Sequence, residues 1–197
     1  MEGNYDNKKS LKGTKTEQIL INSFAGESQA RNRYSYFAKQ AKKEGFEQIA
    51  DIFLQTAENE KEHAKLFYEY LGNLRGHVDA EYPFELGTTE ENLESAANGE
   101  NEEWTTLYAE GEKVAKEEGF DDIASTFHHV MRAEQHHEQR FLKLLENVKN
   151  NTVFQKDTEI DWLCRECGYV HHGKSAPKIC PNCHHPQAYY EVLCENY

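Results

Sequence analysis

Two segments of this chain repeat each other, since residues 44–71 match residues 118–145, and each copy holds a Glu-x-x-His motif. In both copies the motif falls on an apolar stripe with spacings of three and four, which predicts one face of an amphipathic helix. A carboxylate and an imidazole at core positions would each cost about 1–3 kcal/mol if they were buried without partners. Because Glu-x-x-His on one helix face is a metal-ligand spacing, the repeat predicts a metal site inside a helical bundle. The matched pairs are Glu60 and Glu134, His63 and His137, Phe53 and Phe127, and Gly45 and Gly119.

The same patterning predicts four long helices, at about 16–44, 46–73, 89–118 and 120–147. Thr14 and Thr88 each stand three residues before a glutamate, which is capping-box spacing at a helix start. Gly45 and Gly119 permit tight reversals, and residues 74–88 form a connection that is long enough to run along a bundle. Two helical hairpins joined by one long crossover predict a mainly α fold, a ferritin-like four-helix bundle.

The repeat contains one slip, which lies in the third helix. Tyr34 and Tyr108 keep the offset that relates the two motifs, whereas the offset from Glu27 to Glu100 is one residue shorter. One extra residue inside a helix is commonly accommodated as a π-bulge, and such bulges favour functional sites. We therefore predict a π-bulge between Glu100 and Tyr108, and we expect Leu107 among the inward-facing residues of this helix.

Six inward residues supply the donor set of a two-metal site, with one Glu from each of two helices and a Glu-x-x-His from each of the others. They are Glu27, Glu60, His63, Glu100, Glu134 and His137. Four carboxylates balance two divalent ions, and a mixture of oxygen and imidazole ligands suits iron or manganese. The alternative is a charged interior that is solvated by water.

Three further residues of the bundle are candidates by position. Glu103 shares a helix face with Glu100, and it is either a fifth carboxylate ligand or part of an exposed acidic segment. Tyr34 and Tyr108 either donate hydrogen bonds to ligand carboxylates or serve as ordinary core aromatics. The spacing leaves both questions open. Four histidines without repeat partners in the stripes are predicted to be surface residues: His77, His128, His129 and His136.

All five cysteines lie within the segment 164–194, and four of them form two Cys-x-x-Cys pairs. The spacing of these pairs predicts a tetrahedral four-thiolate site for iron or zinc, formed by Cys164, Cys167, Cys180 and Cys183. A unit of about 40 residues has too small a core to fold alone, so the metal contributes to its folding. Cys194 is predicted to be a packed or exposed thiol. Aromatic residues expected around the site are Trp162, Tyr169, Tyr189 and Tyr190.

The predicted organisation is a flexible segment at 1–15, the bundle at 16–147, a linker at 148–157 and the thiolate unit at 158–197. A net charge of −13 argues against nucleic acid or an anionic membrane as a partner. No apolar run is long enough to span a membrane, and the polar segment 1–15 does not have the pattern of a signal peptide. Cys-x-x-Cys pairs in such a chain indicate the reducing cytoplasm.

Several stretches of the sequence resemble the rubrerythrin family, over essentially the whole chain after the first dozen residues. They include residues 24–34 (FAGESQARNRY), Glu60-Lys-Glu-His63, Glu100-Asn-Glu-Glu103, Glu134-Gln-His-His137, Trp162-x-Cys164 and Cys180-Pro-x-Cys183. The resemblance implies a non-haem di-iron centre in the bundle, a rubredoxin-type iron site in the tail, and the reduction of hydrogen peroxide to water. It also implies that Glu103 is a ligand, with one iron exchanging between the positions of His63 and Glu103 as the redox state changes.

The resemblance carries expectations about partners as well. It implies a homodimer or higher homo-oligomer in which the tail of one chain lies near the di-iron site of another. An external reductase or rubredoxin is expected to supply the electrons. These expectations make the protein a peroxidase active in oxidative-stress defence.

Three other functions fit parts of the pattern. A ferroxidase or iron-handling protein would use the bundle but leaves the thiolate unit without a purpose. A zinc ribbon in the tail would make the chain a binding or scaffold module. Colour distinguishes it from an iron site, because ferric four-thiolate protein is red and zinc protein is colourless. A dioxygen-activating oxidase is distinguished by comparing the turnover of peroxide with that of oxygen.

Overall fold

The computed structural model describes residues 9–196, and four long helical segments make up most of them. Helix α1 spans Lys15–Glu44 and α2 spans Glu47–Leu71. The third segment consists of α3 (Thr89–Glu102), a π-helical turn (Glu103–Leu107) and α4 (Tyr108–Glu117). Helix α5 spans Asp121–Lys149. The predicted helices are confirmed to within a few residues at each end, while residues 1–8 of the expected flexible segment lie outside the described residues.

The π-helical turn confirms the bulge that the offset between the two repeats predicts. Its extra residue lets Glu100 and Tyr108 both face the core, and both are buried. The prediction that Leu107 faces inward is wrong, because its side chain is 49% exposed. No residue of the turn itself is buried, since the wider backbone of the π turn carries its side chains towards the surface.

Each helical hairpin reverses at a glycine in the left-handed region. Gly45 has φ of 85° and Gly119 has φ of 74°, values that a residue with a Cβ adopts only with strain. The amide of Gly45 bonds to the carbonyls of Ala41 and Lys42, which closes the end of α1. The glycines therefore bring α2 back along α1 and α5 back along α4.

The two hairpins cap one another through equivalent glutamates at their reversals. The Glu44 carboxylate accepts a hydrogen bond from the Thr89 amide at the start of α3, at 2.9 Å. The Glu118 carboxylate accepts one from the Thr16 amide at the start of α1, also at 2.9 Å. A carboxylate at a helix N-terminus satisfies free amides and interacts favourably with the helix dipole. These bonds fix the register of one hairpin against the other.

The bundle core consists of two aromatic-rich clusters, one on each side of the Glu-x-x-His level. Phe53 and Phe141 pack against each other in one cluster, with ring centroids 5.2 Å apart. Phe67 and Phe127 pack at the same separation in the other cluster. Because the motif of α2 lies between Phe53 and Phe67, the polar side chains are enclosed above and below by aromatic layers.

The tail forms a three-stranded antiparallel sheet in the order β2-β1-β3, with β1 at Gln155–Cys164, β2 at Val170–Ser175 and β3 at Tyr190–Val192. Strand β1 begins inside the segment that is predicted to be a linker. Trp162 and Tyr190 are buried beside the cysteines, and Tyr169 and Tyr189 pack around them, as predicted. The tail contacts the reversal end of the first hairpin, where the Phe154 and Phe46 rings stack with centroids 6.0 Å apart.

None of the helices that the structure describes is long and apolar enough to cross a membrane.

Candidate metal centres

The fold brings the six predicted donors of the bundle together in two overlapping groups. Within each group, one ligand atom from every residue lies within 4.8 Å of the others. Glu60 and Glu134 belong to both groups, so each of these carboxylates can bridge two metal positions. The first group is Glu27, Glu60, His63 and Glu134, and the second is Glu60, Glu100, Glu134 and His137.

Each of the two imidazoles contacts the glutamates of both Glu-x-x-His motifs. His63 Nδ1 lies 2.8 Å from Glu134 Oε1 and 2.9 Å from Glu60 Oε2. His137 Nδ1 lies 2.8 Å from Glu134 Oε2 and 3.2 Å from Glu60 Oε1. Each imidazole therefore presents its Nδ1 atom to both bridging carboxylates.

Many polar atoms of this centre are buried and lie close to one another, but without a well-directed hydrogen bond among the described residues. Both Glu134 oxygens and His137 Nδ1 belong to this set, together with one oxygen each of Glu27, Glu60 and Glu100. The four carboxylates are at most 1% exposed, which contradicts the alternative of a solvated charged interior. Buried carboxylates of this density need cations close to them, and two divalent ions would neutralise the four charges. The donor set thus fits two metals.

Protons bound at the same atoms also neutralise part of the charge of these carboxylates. Burial alone would lower the pKa of His63, but its close contacts with the Glu134 and Glu60 carboxylates raise it to about 10. Burial and the charge of Glu60 raise the pKa of Glu100 to about 8. Burial and neighbouring carboxylates also raise the pKa of Glu27. Metal binding at these atoms therefore releases protons.

Each tyrosine of the repeat contacts a carboxylate of the opposite hairpin. The Tyr108 hydroxyl donates to Glu27 Oε1 at 2.5 Å, and the Tyr34 hydroxyl donates to Glu100 Oε1. Both tyrosines are also packed in the aromatic clusters, so both of the interpretations left open by the sequence hold. Burial, followed by the nearby carboxylates, raises the pKa of both phenols, which keeps the hydroxyl protons on them.

Glu103 lies beside the site but belongs to neither donor group. It is the first residue of the π turn, and it is half-buried at a cleft of about 920 Å³ that also borders Tyr108. Burial and the charges of Glu100, Glu134 and Glu60 raise its pKa. Its role as a ligand therefore stays a prediction. The four histidines predicted to be surface residues are all at least partly exposed: His77, His128, His129 and His136.

Two arginines beside the centre, Arg33 buried and Arg140 partly buried, have no counterpart in the sequence predictions. Arg140 lies one turn after His137, and its guanidinium donates to Thr56 Oγ1 at 2.6 Å. Arg33 precedes Tyr34 and is 8% exposed. A single arginine within an apolar stripe gives a weak signal, because its long stem often covers apolar surface while its charge reaches water.

The four predicted cysteines of the tail also converge. The Cys164 and Cys183 sulfurs are 3.7 Å apart, and so are those of Cys167 and Cys180. A tetrahedron with metal–sulfur bonds of about 2.3 Å has edges of about 3.8 Å, whereas a disulfide bond is about 2.05 Å. A hydrogen bond from the Asn182 side chain, followed by one from a backbone amide, lowers the pKa of Cys167 and favours the thiolate. Cys194 is exposed and lies outside this cluster.

The fold and the two centres define a class of protein: a ferritin-like, carboxylate-bridged di-iron bundle fused to a rubredoxin-like iron domain. Comparisons with known structures agree. The chain is similar to nigerythrin in its mixed-valence state, with 31% identity and a TM-score of 0.63 over 96% of this chain and 90% of that one. Bacterioferritin BfrA of Mycobacterium tuberculosis, at 18% identity and a TM-score of 0.59 over 76% and 90% of the two chains, shares the fold.

Sequence comparisons identify the family. The profile of the rubrerythrin family matches residues 18–145, and the profile described as the rubredoxin-like domain of rubrerythrin matches residues 162–191. Rubrerythrin-1 of Clostridium acetobutylicum is 52% identical over 197 residues, which cover 96% of this chain and all of that protein. The chain belongs to the rubrerythrin family, which places it among the oxidoreductases. Its residues fit two irons in the bundle and one in the tail.

Proposed function

We propose that the protein is a non-haem di-iron peroxidase that reduces hydrogen peroxide to water, with electrons relayed through its Fe(Cys)4 centre. The observation that carries this proposal is the sharing of Glu60 and Glu134 between two donor groups, on the same chain as a four-thiolate cluster. Two metals held by these shared carboxylates would supply Lewis acidity and electrons for cleavage of the O–O bond of a small substrate. The ligand set that we propose is Glu27, Glu60, His63, Glu100, Glu103, Glu134 and His137.

The reaction consumes two electrons and two protons for each peroxide, and the chain offers groups for both. Glu103 borders the cleft, and when its carboxyl group is not bound to metal its raised pKa keeps a proton available beside the site. The Tyr34 and Tyr108 hydroxyls hold the Glu100 and Glu27 carboxylates in fixed orientations. In this proposal Glu103 protonates a departing oxygen while it is not bound to metal, and the tyrosines keep the Glu100 and Glu27 carboxylates aligned while charge changes at the centre.

Electrons from an external reductase or rubredoxin enter one at a time at the four-cysteine site of the tail and continue to the bundle. The cysteines of the described residues form no disulfide, which suits a reducing compartment such as the cytoplasm. We also propose a homodimer in which the tail of one chain serves the bundle of the other.

The test is stopped-flow mixing of anaerobically reduced, iron-loaded protein with hydrogen peroxide, followed by the reappearance of the red ferric four-thiolate colour. We expect Glu134→Ala to lose peroxide-driven reoxidation while it retains the red colour of the tail, because Glu134 belongs to both donor groups. Glu146→Ala is the matched control, since Glu146 lies on the same helix with its side chain 60% exposed. Full turnover by Glu134→Ala would contradict the assignment of the site.

One feature of the surface favours a second candidate, a ferroxidase. Seven further carboxylates line the cleft beside Glu103, and an acidic cleft attracts ferrous ions. They are Asp79, Glu81, Glu85, Glu91, Glu94, Glu102 and Glu110. Comparing the reaction of the same reduced protein with peroxide and with oxygen separates the two functions. Faster reaction with oxygen, followed by the accumulation of ferric mineral, would favour the ferroxidase.

A further inference from the structure

Arg33 of α1 is a buried cation whose charge has no direct partner. Its side chain is 8% exposed, and its guanidinium lies over the rings of Tyr34 and Phe37, with Cζ 5.7 and 5.8 Å from their centroids. Among residues 9–196 it forms no ion pair, and its Nε has no hydrogen-bond partner. A buried charge of this kind needs a counter-charge within reach.

The guanidinium opens onto the same cleft as Glu103. Arg33, Gly99, Glu103 and Tyr108 all line this cleft of about 920 Å³, and residues 79–83 of the crossover form its outer wall. Gly99 lets the arginine approach, because a Cβ at that position would lie only 3.2 Å from Arg33 Nη2. The next residue is the ligand Glu100, so the guanidinium lies close to the di-iron centre.

Glu103, in turn, is a carboxylate that lies among other carboxylates. It forms no ion pair with any described residue, and the charges that act on it from the centre are the carboxylates Glu100, Glu134 and Glu60. Arg33 is the group whose charge opposes this repulsion. A free anion is a poorer partner for Arg33 than Glu103, because the rim of the cleft is acidic and repels anions.

We infer that Arg33 is a positioning residue that receives the Glu103 carboxylate in the cleft and thereby competes with the metal for it. This inference deepens the proposed function, since it rests on the same di-iron site. In the structure, the Glu103 carboxylate is neither paired with Arg33 nor part of a donor group of the described residues. Arg33 thus sets how readily Glu103 joins the metal.

A metal titration of the full chain tests this competition without measuring turnover. The tail is first filled with zinc, and cobaltous ion is then titrated into the bundle and followed by its visible absorption. We expect Arg33→Gln to tighten cobalt binding at one position by about tenfold, which is the scale of effects from residues just outside a metal site. In a Glu103→Gln background the same substitution should change nothing. Arg31→Gln is the matched control, because Arg31 is an exposed arginine of the same helix that pairs with Glu58 at 3.4 Å.

Equal effects of Arg33→Gln with and without Glu103 would overturn the inference and leave Arg33 as a structural cation. If Arg33→Gln does not fold, crystal structures of the iron-loaded full chain in its oxidised and reduced states provide the decision. A hydrogen bond between Glu103 and Arg33 in either state supports the inference, and its absence from both overturns it. Failure of the peroxidase proposal would leave cobalt affinity and these contacts unchanged, so the two failures are distinguishable.

Discussion

The two carboxylates that each belong to a single donor group, Glu27 and Glu100, are held by hydroxyls from the opposite hairpin. Tyr108 of α4 holds Glu27 of α1, and Tyr34 of α1 holds Glu100 of α3. The two bonds therefore tie the orientation of the ligands to the packing of the hairpins. A ligand held in this way loses less conformational freedom when the metal binds.

Tyr108→Phe tests this arrangement at a single atom. We expect metal affinity of the bundle to fall about tenfold, because Glu27 loses the bond that orients it. Competition with a chelator measures the affinity, and Tyr36→Phe is the control because Tyr36 is 57% exposed on α1. Unchanged affinity in Tyr108→Phe would mean that packing alone orients Glu27.

The titrating groups of the centre predict an unusual pH dependence for the metal-free protein. His63 and Glu100 have folded pKa values of about 10 and 8, above their ordinary values of 6.5 and 4.5. The folded state thus binds more protons than the unfolded state between about pH 4.5 and 10, so the free energy of unfolding falls as pH rises through this window. Thermal melting of the helices, followed by circular dichroism, checks this trend.

Bound metal should offset this loss of stability over the same window. Bound metal requires deprotonated ligands, so its affinity and the stability that it adds both rise with pH. A melting temperature of the metal-free protein that stays constant or rises between about pH 5 and 9 would contradict the expectation.

At the scale of the residue, the sequence predicts the donors better than their partners. Glu60, His63, Glu134 and His137 follow from two motifs in register, since a polar residue on an apolar stripe needs a reason to be there. The pairing of each tyrosine with the opposite hairpin does not follow, because spacing along one helix says nothing of contacts between helices. Arg33 was not predicted for the same reason.

The π turn is the element that distinguishes the second repeat of the bundle from the first. It adds one residue between Glu100 and Tyr108. Glu103, three residues after Glu100, lies at the cleft, whereas its equivalent in the first repeat, Ala30, is buried in the core. Side chains pin the turn to α5, since Trp104 Nε1 and Asn101 Nδ2 donate to the Glu138 carboxylate at 2.6 and 2.9 Å. A π turn forfeits regular helix bonding, so its presence indicates a functional benefit.

Deletion of Thr106 removes the extra residue and tests that benefit. The spacing from Glu100 to Tyr108 then equals that from Glu27 to Tyr34, so we expect a regular helix, a folded bundle and an unchanged or higher melting temperature. Peroxide turnover should fall sharply, because Glu103 leaves the cleft. Thr106→Ala, which keeps the chain length, is the control. Turnover at the full rate after the deletion would show that the bulge is dispensable.

At the scale of the element, the repeat predicts the helices and even the bulge, because both depend on residue spacing. The inward position of Leu107 was predicted wrongly, since the offset between repeats reveals that a residue is inserted but not which side chains it displaces. The path of the crossover depends on side-chain bonds from α1, such as Gln18 to the His77 carbonyl and Asn22 to the Asp79 carbonyl. Such contacts between elements leave no periodic pattern in the sequence.

In the whole molecule, the tail rests on the hairpin reversal rather than beside the di-iron centre of its own chain. Arg165, which follows the ligand Cys164, bonds to Asp51 near the start of α2 at 2.7 Å. Glu60 lies about 14 Å further along that helix, at about 1.5 Å per residue. Electron tunnelling weakens steeply with distance, so the tail of a second chain that packs nearer to the centre would be the better donor.

Mixing two inactive variants tests whether electrons pass between chains. Glu134→Ala has a disabled bundle and an intact tail, whereas Cys183→Ser has an intact bundle and a disabled tail. Neither homodimer should turn over peroxide. A dimer with one chain of each kind joins an intact tail to an intact bundle only across the interface. Peroxide turnover should therefore reappear after the mixture is dissociated and reassembled, and sedimentation should confirm the dimer. If the mixture contains mixed dimers but stays inactive, electrons pass within each chain. They would then cross the distance along α2 that separates the tail from the bundle site of the same chain.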